Sequence, residues 1–497
     1  MSSNVSYKKI IEARYNLAPS QLKVLTFANS NYLHVRDFLD RPLKTSDRGV
    51  EVGSANYIRN SYKFFIRAKS LTSGQFLPEI NTEEIKPIRP QVFVDYKLSE
   101  GDILISKDSN IGESVILDKD YFNCMLSGAL YKLPVSKKKY YLLAFFKSSI
   151  FKDQLDLMVP KGATIRHAKT LFLDCKIPLP NQENLDDVIS YVEELTKSIV
   201  NKEKEIRKKN EQIFTLITDE INCNQKNEKF KFTHPRLNDL QIKKRLDTGM
   251  YNKKYQEQNF LIRNYGFGTS TFKDLGYKIS RGQNLQVSSI GRSIYTDFIK
   301  KNFYKLALSK YFSEWMTVEK YIYLGNAKKL KVVNKGDIIF SCRGDLGRVA
   351  IICESIHGLI TNIDNVHIIN NSADINNKIF VASFLNYLRR TGYLNQVSIT
   401  GSGANSFTKY HFDHIIFPNF PSGKQAEIAK IFYNDVRIKN MNINDYYKLS
   451  CEWDAESGVY NLDLSLKKLK IHLNKTLQEI SEGKEIKIDF SFINSGV

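Results

Sequence analysis

PEINTEEIK, residues 78–86, brings Glu79, Glu84 and Lys86 into one short stretch. These are the residue types with which a magnesium-dependent nuclease holds its metal and polarises a phosphodiester. Acidic loops of this kind are common, and the second half of the chain carries no copy of it. His411 and His414 stand three apart in HFDH, the nearest approach to a metal-ligand spacing. Without a nearby cysteine or an HExxH helix they read as packing histidines. The six cysteines are scattered and form no CxxC pair, as expected of reduced, mostly buried thiols. The chain has no Pro-Pro dipeptide, and hence no (N/D/S)PP(Y/F) methyltransferase motif. It also has neither a GxxxxGK(S/T) phosphate loop nor a GxSxG nucleophile elbow. Apart from the nuclease-like segment, which remains a rival, the chemistry is expected to lie in partners.

What remains is a set of residues suited to binding. Arg343 lies in the predicted turn CRGDLG, and Lys107 lies one register earlier in the turn KDSNIG. Ser402, Asn405, Ser406 and Lys409 occupy a polar, Gly-rich loop, and Lys161, Arg166 and His167 occupy the similar loop of the first half. Arg281 and Gln283, in KISRGQNLQ, have forked side chains that suit bidentate contacts to base edges. A solvated turn charge is the plainer reading of each. The formal charge of +20, with a pI near 9.4, fits nucleic acid, an anionic surface or simple solubility. Residues 183–222 hold ten Asp/Glu and six Lys/Arg, a net of −4, which leaves +24 for the rest. There the cations are interleaved with aromatics, as in KKNFYKLALSKYF (300–312).

These residues need elements to hold them, and 497 residues call for more than one core. A hydrophobic content of 42% with 12% aromatics is ample for packed interiors. No stretch approaches the roughly 18 apolar residues of a membrane span, and MSSNVSYKKIIEARYN lacks a signal-peptide core. A cytoplasmic protein that does not engage a membrane is expected.

The chain reads as a tandem duplication. GDILISKDSNIG (101–112) returns as GDIIFSCRGDLG (336–347), at an offset of 235. ARYNLAPSQLK (13–23) has a weaker echo in KRLDTGMYNKK (244–254), at 231 from Arg14 to Arg245. VPKGATIRHAKTLFLDCKIPLP (159–180) resembles ITGSGANSFTKYHFDHIIFPNFP (399–421), where Pro178 meets Pro418 at 240. GDILIS with SVILDKD, and GDIIFS with RVAIICE, predict strand–turn–strand units. Pro180 then precedes a predicted helix, with Asn181 as N-cap and Glu183, Asp186 and Asp187 near its start. Leu185, Val192, Ile199, Ile206 and Ile213 recur every seven residues, while Lys202 and Lys209 interrupt the companion stripe of Val188, Leu195 and Leu216. Such a helix, over 183–221, would be roughly 58 Å long and asks for a partner helix. Two candidates follow. One is 423–438, with Ile428 and Phe432 on one face; the other carries Leu466, Leu469, Leu473, Leu477 and Ile480.

Two copies of GDI(L/I)xS…G, each followed by a Pro-bearing strand end, a Gln-containing helix start (Gln182-Glu183; Lys424-Gln425) and a heptad helix, resemble the specificity subunit of Type I restriction–modification systems. The resemblance spans roughly 1–482. It implies an α+β chain of two tandem globular target recognition domains of mixed α/β structure, separated by long, antiparallel, coiled-coil-like helices. The expected division is 1–181, recognition domain 1; 182–222, central helix; 223–422, linker and recognition domain 2; and 423–497, C-terminal helical region. It implies a non-catalytic subunit that reads a bipartite double-stranded DNA target with an unread gap. Its partners would be two modification (methyltransferase) subunits and restriction subunits, which bring S-adenosylmethionine, ATP and magnesium; this chain would bind none of these cofactors. The sequence departs from the family's pattern at KDSNIG, which lacks the central Gly of the turn, at GATIRH, and in the stretch 441–460.

Overall fold

The computed structural model describes residues 28–80, 85–159, 168–243, 248–398, 406–436 and 446–490, together with Tyr7 and Ile11. The first copy of the early echo (13–23) lies outside them. The chain divides into two units, residues 1–205, 437–455 and 464–497 in the first, and 206–436 and 456–463 in the second.

In each unit the repeated phrase builds the same strand–turn–strand. Ile103–Ser106 pairs antiparallel with Ser114–Ile116 and Leu130–Leu133; Ile338–Ser341 pairs with Val349–Ile351 and Asn365–Ile369. The registers coincide at 235: Ile103 faces Ile116 and Leu133, and Ile338 faces Ile351 and Ile368. Leu104 and Val115 enter the first core as Ile339 and Ala350 enter the second. Asp102 and Asp337 accept the backbone N–H of Ser99 and Asn334 at 2.7 and 2.8 Å, which fixes the entry turn. Ser106 and Ser341 donate their hydroxyls to the carbonyls of Asp108 and Arg343, closing the second turn. Gly112 and Gly347 sit at φ +80° and +78°, where a Cβ would also strike Leu155 and Leu394 of the covering helices. The strands and glycines of the doubled phrase are scaffold, and only its turn projects from them.

The remaining strands repeat as well. Phe64–Ile66 runs parallel to Cys124–Leu126, and Tyr304–Ala307 parallel to Leu359–Thr361. Tyr32–His34 pairs with Lys176–Pro178 as Thr269–Thr271 pairs with Ile416–Pro418. Helices Lys139–Lys147 and Ser149–Met158 cover the first unit, and Ile375–Arg390 and Tyr393–Ser398 the second. Both units are of mixed α/β structure.

The long helix runs Leu185–Cys223, 39 residues. It begins later than expected. The Asn184 carbonyl, not Asn181, accepts the first N–H groups, from Asp187 and Val188. Val192, Ile199, Ile206 and Ile213 are buried and Leu185 half-buried. In the first unit its neighbour is the helix Val459–Ser481, with Leu469 and Leu473 buried. His472 Nε2 meets Tyr191 Oη at 2.7 Å, and Lys470 Nζ meets Glu203 Oε1 at 2.6 Å. The other Glu203 oxygen accepts the N–H of Phe76 and Leu77, tying helix to domain. Lys202, read as an interruption, is fully buried. It pairs with Asp454 of the helix Tyr446–Glu456, which also accepts from Asn201 at 2.7 Å. Burial lowers the Lys202 pKa and raises that of Asp454, while each partner opposes the other's shift. The second expected partner helix, Ser422–Phe432, buries Ile428 and Phe432 in the second unit beside Ile375–Arg390, with Asn377 bonded to Gln425 at 3.0 Å.

Candidate nucleic-acid interface

The second unit carries a cleft of about 1040 Å³. Strand Lys278–Arg281 supplies Arg281 on one wall, and the repeated turn supplies Arg343. Ser406 and Lys409 come from the segment that enters the short helix Lys409–Asp413. Four of the residues selected from sequence thus line one cavity, although Lys409 is 128 positions from Arg281 in the chain. A backbone bridge between Arg343 and Ser406, and a Phe407 N–H to Cys342 carbonyl bond of 2.9 Å, hold turn and segment together. Below lies an aromatic pedestal: Phe407 packs on Phe412 (centroids 5.1 Å) and both pack on Phe340.

Lys273 and Lys278 add to the lining, against a single acid among the described residues, Asp413. Arg343 approaches Asp364 only at 3.8 Å on an exposed face. The cleft therefore presents a strongly positive rim over an apolar floor, a surface for polyanions. The Cys342 thiol in its wall is pushed up to about 12 by burial, which disfavours the thiolate. Among the described residues no cluster of His, Cys, Asp and Glu could hold a metal, and no helix is long and apolar enough to cross a membrane. His411 and His414 bond locally, to Thr408 and to the Tyr410 carbonyl.

Gln283 lies outside this cleft. Its amide donates to the Asn284 carbonyl at 3.1 Å and its oxygen accepts from the Lys331 N–H at 3.0 Å. Ser402 and Asn405 lie outside the described residues, as do Lys161, Arg166, His167 and Glu84. Glu79 and Lys86 are described: Glu79 donates its N–H to the Ser70 carbonyl, and Lys86 sits in a strand opposite Phe65.

At the corresponding turn the first unit has a cleft of about 590 Å³, lined by Arg48, Lys107 and Lys169 but also by Glu51 and Asp108. Lys107 is not the exposed turn cation that was expected; it is buried and paired with Asp108. Sequence reading missed Lys273, Lys278, Arg48 and Lys169. One signal was available for Arg48, the dipeptide Arg-Gly that it shares with Arg281-Gly282.

No curated protein sequence is significantly similar to the chain. Among solved structures it is similar to the S subunit of a Type I restriction–modification system from M. genitalium (10% identity, 93% of this chain and 99% of that one, TM-score 0.44). It is also similar to the HsdS subunit from Thermoanaerobacter tengcongensis (11%, 92% and 97%, TM-score 0.26). A structure described for complex assembly and conformational transition of the type I R-M system matches at 12% identity, over 92% and 98%, with a TM-score of 0.28. Residues 286–445, which contain Arg343, Ser406 and Lys409, match the model of the Type I restriction modification DNA specificity domain. The resemblance to Type I specificity subunits carried by the doubled phrases is thus met by a match of residues 286–445, most of them in the second unit, to that family's domain.

Proposed function

We propose that the chain is the DNA sequence-recognition subunit of a Type I restriction–modification complex. The observation that carries this reading is the basic, apolar-floored cleft at the duplicated turn, whose Arg343, Ser406 and Lys409 fall in a stretch that matches a DNA specificity domain. Phosphates are drawn by the rim cations, which position the duplex but do not specify it. Bases are read in the groove by polar side chains such as Arg343, Ser406 and Lys409. Because the fold is written twice, the target has two parts, separated by bases that neither domain reads. The recognition domains are 1–181 and 223–422, with the helical regions 182–222 and 423–497 docking two methyltransferase subunits and the restriction subunits. S-adenosylmethionine, ATP and magnesium belong to those partners, and this chain is non-catalytic.

The test is to map methylated sites in cells with and without this gene beside a modification subunit. A gapped, two-part motif that appears only with the gene is expected, and a continuous motif contradicts the reading. Cutting of DNA by the purified chain with magnesium alone, abolished by Glu84→Ala, would establish the nuclease instead.

A further inference from the structure

Arg48-Gly49 and Arg281-Gly282 are the same dipeptide, 233 positions apart. Hydrogen bonds put them at the same place in the two units. Gly49 N–H donates to Leu130 O and Gly282 N–H to Asn365 O, both at 3.0 Å. The next residues, Val50 and Gln283, donate to Leu126 O and Thr361 O. Arg48 bridges Tyr131 as Arg281 pairs with Val366, and each of these partner pairs is 235 apart.

The frame explains the glycine. A Cβ at Gly49 would collide with the carbonyls of Ser127 and Leu126, and one at Gly282 with those of Asn362 and Thr361. It does not explain the arginine. Both arginines are exposed and line the cleft of their unit. The Arg281 side chain makes no hydrogen bond or ion pair with any described residue. Among the described residues Arg48 spends only its Nε, on Gly128 O at 3.3 Å. Around them the turn changes sign, with Asp108 at the position of Arg343.

Two half-sites of different sequence have only the sugar-phosphate backbone in common. A side chain that stays the same while its neighbours change fits that common part. A guanidinium also matches two phosphate oxygens with its fork. We infer that Arg48 and Arg281 are a duplicated phosphate anchor, each fixing its domain's register on DNA without reading a base. The inference rests on the reading of the chain as a DNA-binding subunit.

The test uses the full chain with Arg48→Ala, Arg281→Ala, and the Lys variant at each position. Binding is measured to a duplex carrying the methylated motif and to a scrambled one over a range of salt, and methylation is mapped in cells. Each Ala variant is expected to weaken both duplexes by the same factor, about tenfold, and to lower the salt slope by about one. Lys should restore most of the affinity, and the methylated motif should keep every base. A variant that changes a base of the motif, or weakens the motif duplex alone, overturns the inference in favour of base reading. So does an unchanged salt slope. A wild-type chain with no salt-dependent affinity for either duplex fails the functional reading itself, which separates the two failures.

Discussion

The two clefts share a frame and differ in chemistry. At the turn of the second unit Arg343 stands free enough to reach a ligand, while at the same position of the first unit Asp108 turns inward to neutralise Lys107. Glu51 removes more positive charge from the first cleft, whereas the second keeps five cations against Asp413. A duplicated fold can thus hold its strands, glycines and turn bonds constant and vary only what projects from them. The frame sets where a side chain is presented, and the side chain sets what is recognised.

The strongest way to break this comparison is to attack the shared frame. Gly49→Ala and Gly282→Ala force a methyl into a backbone carbonyl, and each should destabilise its unit by about 3 kcal/mol or more in thermal or denaturant unfolding. Tolerance of one but not the other would show that the frames are not equivalent.

Acid should separate the units next. His367, buried with neither ring nitrogen bonded, has its pKa lowered to about 4 by burial, with Lys331 adding to the effect. Its register counterpart is Lys132, which pairs with Asp102 at 2.7 Å. A histidine held neutral in the fold is protonated first in the unfolded chain. Its contribution is therefore intact above pH 6.5 and is lost as pH falls towards 4. Unfolding followed by hydrogen exchange should show this loss in the second unit, and His367→Phe should remove it.

Exchanging the turn charges tests the chemistry directly. Arg343→Asp should weaken DNA binding about tenfold and reduce its salt dependence, and Asp108→Arg should strengthen binding by a smaller factor, both read by anisotropy against salt. The smallest effect concerns the turn's backbone. Ser109 holds φ +61° where the second unit has Gly344 at +70°. Ser109→Gly should stabilise by about 0.5–1 kcal/mol and Gly344→Ser should cost about as much, both measured by denaturant midpoint.

The strand–turn–strand units and the heptad face of the long helix were legible in sequence because periodicity and a twelve-residue phrase are local signals. Arg281, Arg343, Ser406 and Lys409 were each picked out by residue type and local turn signals, but nothing in the sequence said that they share one cavity. Arg48 was missed because two identical residues are too few to stand out from chance; only the sheet register makes them a repeat. Lys202 was misread because its partner, Asp454, is 252 residues away and belongs to a helix, Tyr446–Glu456, in the stretch that departs from the family's pattern. The inward turn of Lys107 depends on its neighbour's carboxylate finding it, which spacing alone does not reveal.

That buried Lys202–Asp454 pair has a consequence for inheritance. Two codons 252 positions apart specify one electrostatic unit, so neither can drift alone. A crossover that joins the front of this gene to the back of a relative would leave a stranded charge at a cost of about 3–5 kcal/mol, unless the incoming segment brings its own match. The pair therefore limits which gene halves can be exchanged, and positions 202 and 454 are expected to change together wherever they change at all.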